Sequence, residues 1–199
     1  MKIKSLFIFI FIGLCCALLL TLLYHLTYSR INENQQTVFS TQLTQLINKV
    51  DYDNQPQKKP LFIQNSAALG TDKKMPVYIL KKSNIPVAFV FNAVAPDGYN
   101  GNIYLLIALN THATVLGVRV IKHHETPGLG DYFDKKDHAW LSQFIGKNKE
   151  TTPQKKWEVR RDGGEFDAWT GATITPRAII HATARVVNYF NEHREELLQ

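Results

Sequence analysis

The chain has 199 residues, 45% hydrophobic and 20% charged, which suits one folded domain with an appendage and excludes a disordered chain. Its 23 Lys and Arg stand against 17 Asp and Glu for a net charge of +6; once Lys2, Lys4 and Arg30 are set aside as flanks of an N-terminal apolar segment, the remaining +3 has no long basic run and no footprint for nucleic acid. Both cysteines, Cys15 and Cys16, lie inside that segment, so the rest of the chain has no disulfide, no thiolate nucleophile and no cysteine metal site.

From Ser5 to Ser29 there is no Asp, Glu, Lys or Arg, and the run from Leu6 to Leu23 is almost wholly apolar. A helix of about 20 such residues crosses the ~30 Å core of a bilayer. Tyr24 and Tyr28 suit the far interface, and Lys2 and Lys4 before the run keep the N-terminus in the cytoplasm. A cleavable signal peptide would have a shorter core, ~7–15 residues, closed by small residues. A lipoprotein would need a small residue before its cysteine, where Leu14 and Cys15 stand. The expectation is an uncleaved anchor over residues 1–30, with the remainder outside the cytoplasm.

Residues 31–50 are compatible with a helix whose apolar stripe is Val38, Leu43, Leu46, Ile47 and Val50, and 51–60 reads as a loop. The stretch 76–94 predicts two strands turning at Ser83-Asn84. The stretches 98–110 and 113–125 predict a second strand pair turning near Asn110–His112. The continuously apolar run from Ile103 to Leu109 belongs in the middle of a sheet. A short helix is expected over 135–147, and a strand-like segment ends near Trp169. An amphipathic helix follows, with Thr175 as N-cap, Pro176 next, and Ile179, Ile180, Thr183, Val186, Val187 and Phe190 inward. The sum is an α+β fold: one transmembrane helix, then a small, mainly antiparallel sheet packed with helices. Residues 31–95 form its membrane-proximal part and 96–199 its core.

Three loops carry candidate chemistry. In "FDAWTGATITPRAI", Asp167, Thr170, Thr173 and Thr175, with Asp162 nearby, surround a Gly171-Ala172 turn before the helix. Free N–H groups and the helix dipole attract phosphate there; on spacing alone, a helix cap with no ligand stands ahead of that reading. In "IKHHETPGLGD", Pro127, Gly128 and Gly130 make a rigid exposed loop bracketed by Glu125 and Asp131; an ordinary turn with solvated acids is the plainer alternative. His123 and His124 are adjacent on a strand and point to opposite faces, so they do not share a metal ion, and no metal site is assigned. "PDGYNGNI" is a tight loop with Gly98 and Gly101 around Tyr99. His112, His138 and His181 receive no functional role.

The string "DAWTGAT", Asp167 to Thr173, fits the flavinylation pattern Asp-x-x-(Ser/Thr)-Gly-Ala-Thr at every fixed position, and it occurs with "ETPGLG" and "GYNG" in the order of the FMN-binding domain family. Over about residues 5–195 the chain resembles the G subunits of Rnf (Rsx) ion-translocating electron transport complexes. The C subunit of the sodium-translocating NADH:quinone oxidoreductase shares the domain. The resemblance implies FMN joined to Thr173 by a phosphoester, made by a flavin transferase from FAD with Mg²⁺ and release of AMP. It implies Asp167, Thr170, Gly171 and Ala172 as the transferase's recognition element and then part of the phosphate pocket. It implies Glu125, Thr126, Pro127, Gly128, Leu129 and Gly130 along the flavin ring, with Gly98 and Tyr99 lining the same pocket. The partners implied are the membrane and iron–sulfur subunits of such a complex, the membrane is the bacterial inner membrane, and the soluble part is periplasmic. No Gly-rich nicotinamide fingerprint and no cysteine cluster is present, so the chain would carry electrons between partners, with no stand-alone substrate site evident in the sequence. The alternatives are a free-standing membrane-anchored flavin reductase and a flavin-free assembly subunit.

Overall fold

The computed structural model of the chain describes residues 2–47, 50–64, 67–134, 139–169 and 171–198. It divides into two compact units, Met1–Thr41 and Gln42–Gln199. The first is most of helix α1 (Lys2–Leu46), which runs unbroken from the apolar segment through the stretch 31–46. Within α1, Phe7–Tyr28 has mean hydropathy 2.7 over 22 residues and none of it is buried by protein. At 1.5 Å per residue it is about 33 Å long, so its length and composition suit a bilayer crossing. The Thr21 and Thr27 hydroxyls donate to the carbonyls of Ala17 and Leu23, at 2.8 and 2.7 Å, which satisfies both within the helix.

The second unit is built on a five-stranded antiparallel meander. Its strands are β1 (Leu61–Ile63), β2 (Met75–Lys82), β3 (Ile85–Gly98), β4 (Gly101–Asn110) and β5 (Val115–Lys122), paired in sequence order. The β2–β3 turn puts Ser83 and Asn84 at φ 49° and 65°, the left-handed pair of a tight hairpin, and Asp53 Oδ2 accepts from the Ser83 N–H at 2.8 Å. At the β4–β5 turn, Asn110 Oδ1 accepts from the N–H groups of His112 and Thr114, each at 2.9 Å.

Both faces of the sheet are covered, which is why the run from Ile103 to Leu109 is apolar without alternation. On one face, Val77, Phe89, Phe91, Ile107 and Leu109 pack under helix α2 (Ile174–Glu192), whose Phe190 ring lies 5.0 Å from Phe89 and 6.1 Å from Phe91. On the other, Leu80, Ala88, Val90, Leu106 and Ala108 are buried. There Gly117 admits Leu46: a Cβ at that position would stand 2.7 Å from Leu46 Cδ1. Leu43 and Ile47 are buried as well.

The α+β class, the two hairpins and the six inward residues of α2 are as expected. Four features differ. The stripe helix ends at Leu46, short of Val50. Helix α2 begins at Ile174 with Thr173 as its N-cap, two residues before the expected Thr175. The segment before Trp169 is irregular, with only isolated bridges between Val159 and Phe166 and between Trp169 and Ala172. The short helix is a single 3₁₀ turn, Trp140–Phe144, and residues 135–138 lie outside the described residues. Helix α3 (Arg194–Leu198) closes the chain.

Phe190→Ala empties the seam between α2 and β3 and costs about 3–5 kcal/mol of stability. Ile85→Ala, at a residue 67% exposed, stays within about 0.5 kcal/mol of wild type. Denaturant unfolding of the detergent-solubilised chain measures both.

Candidate functional site

One buried carboxylate joins three segments. Glu125, 4% exposed, follows the end of β5. Its Oε1 accepts from the Asn100 N–H in the β3–β4 turn at 3.1 Å, and its Oε2 accepts from the Thr175 hydroxyl in the first turn of α2 at 2.5 Å. A buried carboxylate is costly unless donors replace its water, and here they come from distant parts of the chain. The fit leaves no room for side chains. A Cβ at Gly98 would lie 2.9 Å from Oε1, and one at Gly130 would lie 2.7 Å from Oε2. Asn100 adds a bond from Nδ2 to Thr126 Oγ1 at 3.1 Å.

The loop after Glu125 is shaped by its own backbone. The Leu129 and Gly130 N–H groups donate to the Thr126 carbonyl at 3.1 and 2.9 Å. Gly128, at φ 78°, donates its N–H to Asp131 Oδ1 at 2.7 Å. His123 Nδ1 accepts from the Glu125 N–H at 3.1 Å, and its ring meets Phe133 edge-on at 4.9 Å.

Opposite this loop, Gly171 turns the chain into α2 at φ 86°. The Ala172 N–H donates to the Trp169 carbonyl at 3.3 Å. Thr173 caps α2 without a side-chain cap bond. Its hydroxyl instead accepts from Arg177 Nη1 at 3.3 Å. Thr175 cannot serve as the cap because its hydroxyl is turned inward to Glu125, and Pro176 still falls in the first turn, where no N–H is required. Arg177 also binds Asp162 Oδ2 through Nε and Nη2, both at 2.6 Å. The Arg177 guanidinium holds the Asp162 carboxyl below its ordinary range, helped by Arg161 and His181, and Asp162 in turn raises Arg177. His181 Nε2 lies 2.8 Å from Glu158 Oε1.

Between loop and helix start lies a cavity of about 180 Å³. The β3–β4 turn contributes Tyr99, the loop Glu125, Thr126, Leu129 and Gly130, and the helix start Gly171 through Thr175. Thr126, Thr173 and Thr175 are its threonines, the Thr175 hydroxyl being engaged by Glu125, and Tyr99 adds a phenol. Tyr99, Leu129 and Ile174 are 66%, 45% and 45% exposed, so its rim is apolar and open. Typical small-molecule sites measure ~300–1,000 Å³; a large cofactor would fill this one with a part of itself and extend over the rim.

Of the residues singled out in the sequence, Tyr99, Glu125, Thr126, Leu129, Gly130, Gly171, Ala172, Thr173 and Thr175 line this cavity. Gly98 packs behind it against Glu125. Pro127 and Gly128 are exposed on the loop outside the lining. Asp167 is also outside it: its N–H donates to Gln143 Oε1 at 2.8 Å, its carbonyl accepts from Trp140 Nε1 at 2.6 Å, and its carboxylate pairs with Arg160 Nε at 2.5 Å. It borders a second depression with Tyr132, Trp140, Gln143 and Trp169. Thr170 lies outside the described residues. Sequence reasoning missed Asn100, Ile174 and Arg177. Asn100 sits inside the "GYNG" stretch, and Arg177, four residues after Thr173, shares a helix face with it.

These residues suit a flavin mononucleotide. Thr173 and the N-terminus of α2 line the cavity, the Arg177 guanidinium stands against the Thr173 hydroxyl, and the rim of Tyr99, Leu129 and Ile174 offers a surface to a flat ring. A model of the FMN-binding domain matches residues 98–188. The chain is 43% identical to a protein of Shewanella oneidensis named as the G subunit of an ion-translocating oxidoreductase complex, over 93% of this chain and 87% of that one. A protein of the same name from Aliivibrio fischeri is 40% identical over 100% of this chain and 94% of its own length. One from Vibrio cholerae is 41% identical over 90% and 85%.

Thr175→Val leaves Glu125 Oε2 without its hydroxyl donor, and unfolding experiments will read a loss of about 1–3 kcal/mol. Asp162 has a depressed folded-state pKa, so the stability it brings is present above its unfolded value and is lost as pH falls through the folded one. Carboxyl NMR titration will place its midpoint below that of an unpaired aspartate, and Arg177→Gln will move the midpoint upward.

Proposed function

The chain belongs to the family of ion-translocating oxidoreductase complex G subunits, and we propose that it carries electrons for such a complex on an FMN esterified to Thr173. The observation that carries this reading is the Thr173 hydroxyl. Thr173 lines the cavity at the N-cap of α2, and its hydroxyl makes no cap bond of its own and has the Arg177 guanidinium beside it. Thr175, the neighbouring hydroxyl, is committed to Glu125. FMN, when bound, supplies reversible electron transfer.

The chain's own groups have separable roles in this reading. The first turn of α2 and Arg177 meet the phosphate. Gly171 lets the backbone approach it, since its φ of 86° disfavours any side chain. Leu129 and Tyr99 cover one part of the ring, while the Thr126–Gly130 loop, braced by Asn100, fixes the cavity wall. Asp167 and Thr170 would act earlier, as marks read by a flavin transferase: Asp167 sits on the surface outside the cavity, where another protein can reach it. That enzyme would use FAD with Mg²⁺ and release AMP.

Residues 1–30 serve as the membrane anchor, 31–95 as the membrane-proximal part and 96–199 as the flavin-binding core. The anchor reading rests on the 22-residue span Phe7–Tyr28 and its mean hydropathy of 2.7. Lys2 and Lys4 on its N-terminal side favour a cytoplasmic N-terminus and a periplasmic domain at the inner membrane. The other membrane and iron–sulfur subunits of the complex would then pass electrons to and from it.

Intact mass spectrometry and in-gel fluorescence test the linkage, on chain made in its own membrane with the transferase present. Wild type gains the mass of one FMN less water and fluoresces; Thr173→Ala does neither, and Thr173→Ser retains both. Unmodified wild type beside an active transferase contradicts the assignment.

A further inference from the structure

Helix α2 carries a cation where its own dipole opposes one. Arg177 lies in the first turns, near the positive end, where acidic residues are the favourable choice. Its guanidinium is not left to solvent. Nε and Nη2 grip Asp162 Oδ2 at 2.6 Å, and Nη1 reaches Thr173 Oγ1 at 3.3 Å. Both side chains of the ion pair are 35% exposed, and the arginine is held in a fixed direction between Asp162 and Thr173.

We propose that Arg177, aimed by Asp162, is the positioning residue for esterification of Thr173 and the counter-ion of the phosphodiester it yields. This rests on the reading of Thr173 as the attachment residue. A guanidinium only donates, so Thr173 Oγ1 accepts from it and the hydroxyl hydrogen points elsewhere, open to a base. The positive charge favours the oxygen as it loses that proton, and a separation of 3.3 Å can shorten as negative charge develops.

The reaction balances without a redox change. Thr173 Oγ forms a bond to the FMN-side phosphorus of FAD, and the pyrophosphate bond to AMP breaks. AMP leaves with the bonding electrons, and the hydroxyl proton goes to a base of the transferase. The product phosphodiester keeps one negative charge beside Arg177. Lysine replaces the arginine imperfectly, because an ammonium is a single point and does not present a fixed fork to Asp162 and Thr173 together.

The test uses the full-length chain with purified transferase, FAD and Mg²⁺, following intact mass over time while varying FAD. Arg177→Gln is expected to lower kcat for modification about 10–100-fold, the range for losing a charged hydrogen bond, while circular dichroism shows the same folded chain. Arg177→Lys is expected to recover part of that loss and to carry the test if Arg177→Gln does not fold, remaining several-fold below wild type. Modification of either variant at the wild-type rate overturns the role of Arg177 and leaves Thr173 as the attachment residue. An unmodified wild type overturns both.

Discussion

The Glu125 carboxylate is the constraint on which the rest of the site depends. Its donors, Asn100 and Thr175, are 25 and 50 residues away in sequence. Strand pairing sets the β3–β4 turn beside the end of β5, with Tyr104 opposite Lys122, and satisfying the buried carboxylate ties the start of α2 to both. Gly98 and Gly130 follow from it, since each backbone presses on the carboxylate closely enough to exclude a Cβ. The acid conspicuous in the "ETPGLG" stretch thus has both oxygens engaged by protein, and its contribution to the cavity is the positioning of its walls.

This clamp also decides the chemistry available at the helix start. With Thr175 turned inward, the cap position passes to Thr173, which lines the cavity and whose hydroxyl accepts from Arg177. The cavity is small and its rim of Tyr99, Leu129 and Ile174 is exposed. On the proposed reading that geometry suits an electron carrier: the cofactor is tethered at one end, and its redox-active end stays accessible to partner subunits. A covalent tether also suits a carrier outside the cytoplasm, where no cofactor pool would replace a lost flavin.

Much of the fold was legible because period and turn chemistry point the same way. Asn84 and Asn110 mark hairpins, and the inward residues of α2 repeat at helical spacing. The apolar run in β4 announced a sheet covered on both faces. The N-cap was not legible. In Thr-Ile-Thr-Pro either threonine satisfies local rules, and only a tertiary bond to a residue 50 positions away separates them. Irregular structure from Ala139 to Asp162 was missed for a similar reason: Trp140 and Gln143 bond to the backbone of Asp167, 27 and 24 residues away, which leaves no periodic trace. The site was legible as three motifs. Their assembly was not, nor was the placing of Asp167 outside the cavity beside Arg160.

The most direct measurement is fragment mass spectrometry of the peptide 162–177, released by trypsin from chain purified from its native membrane. Fragments containing Thr173 are expected to carry an added FMN less water, with Thr170 and Thr175 unmodified. Flavin on another residue, or a peptide carrying no flavin in chain that is otherwise flavin-loaded, would contradict the assignment to Thr173.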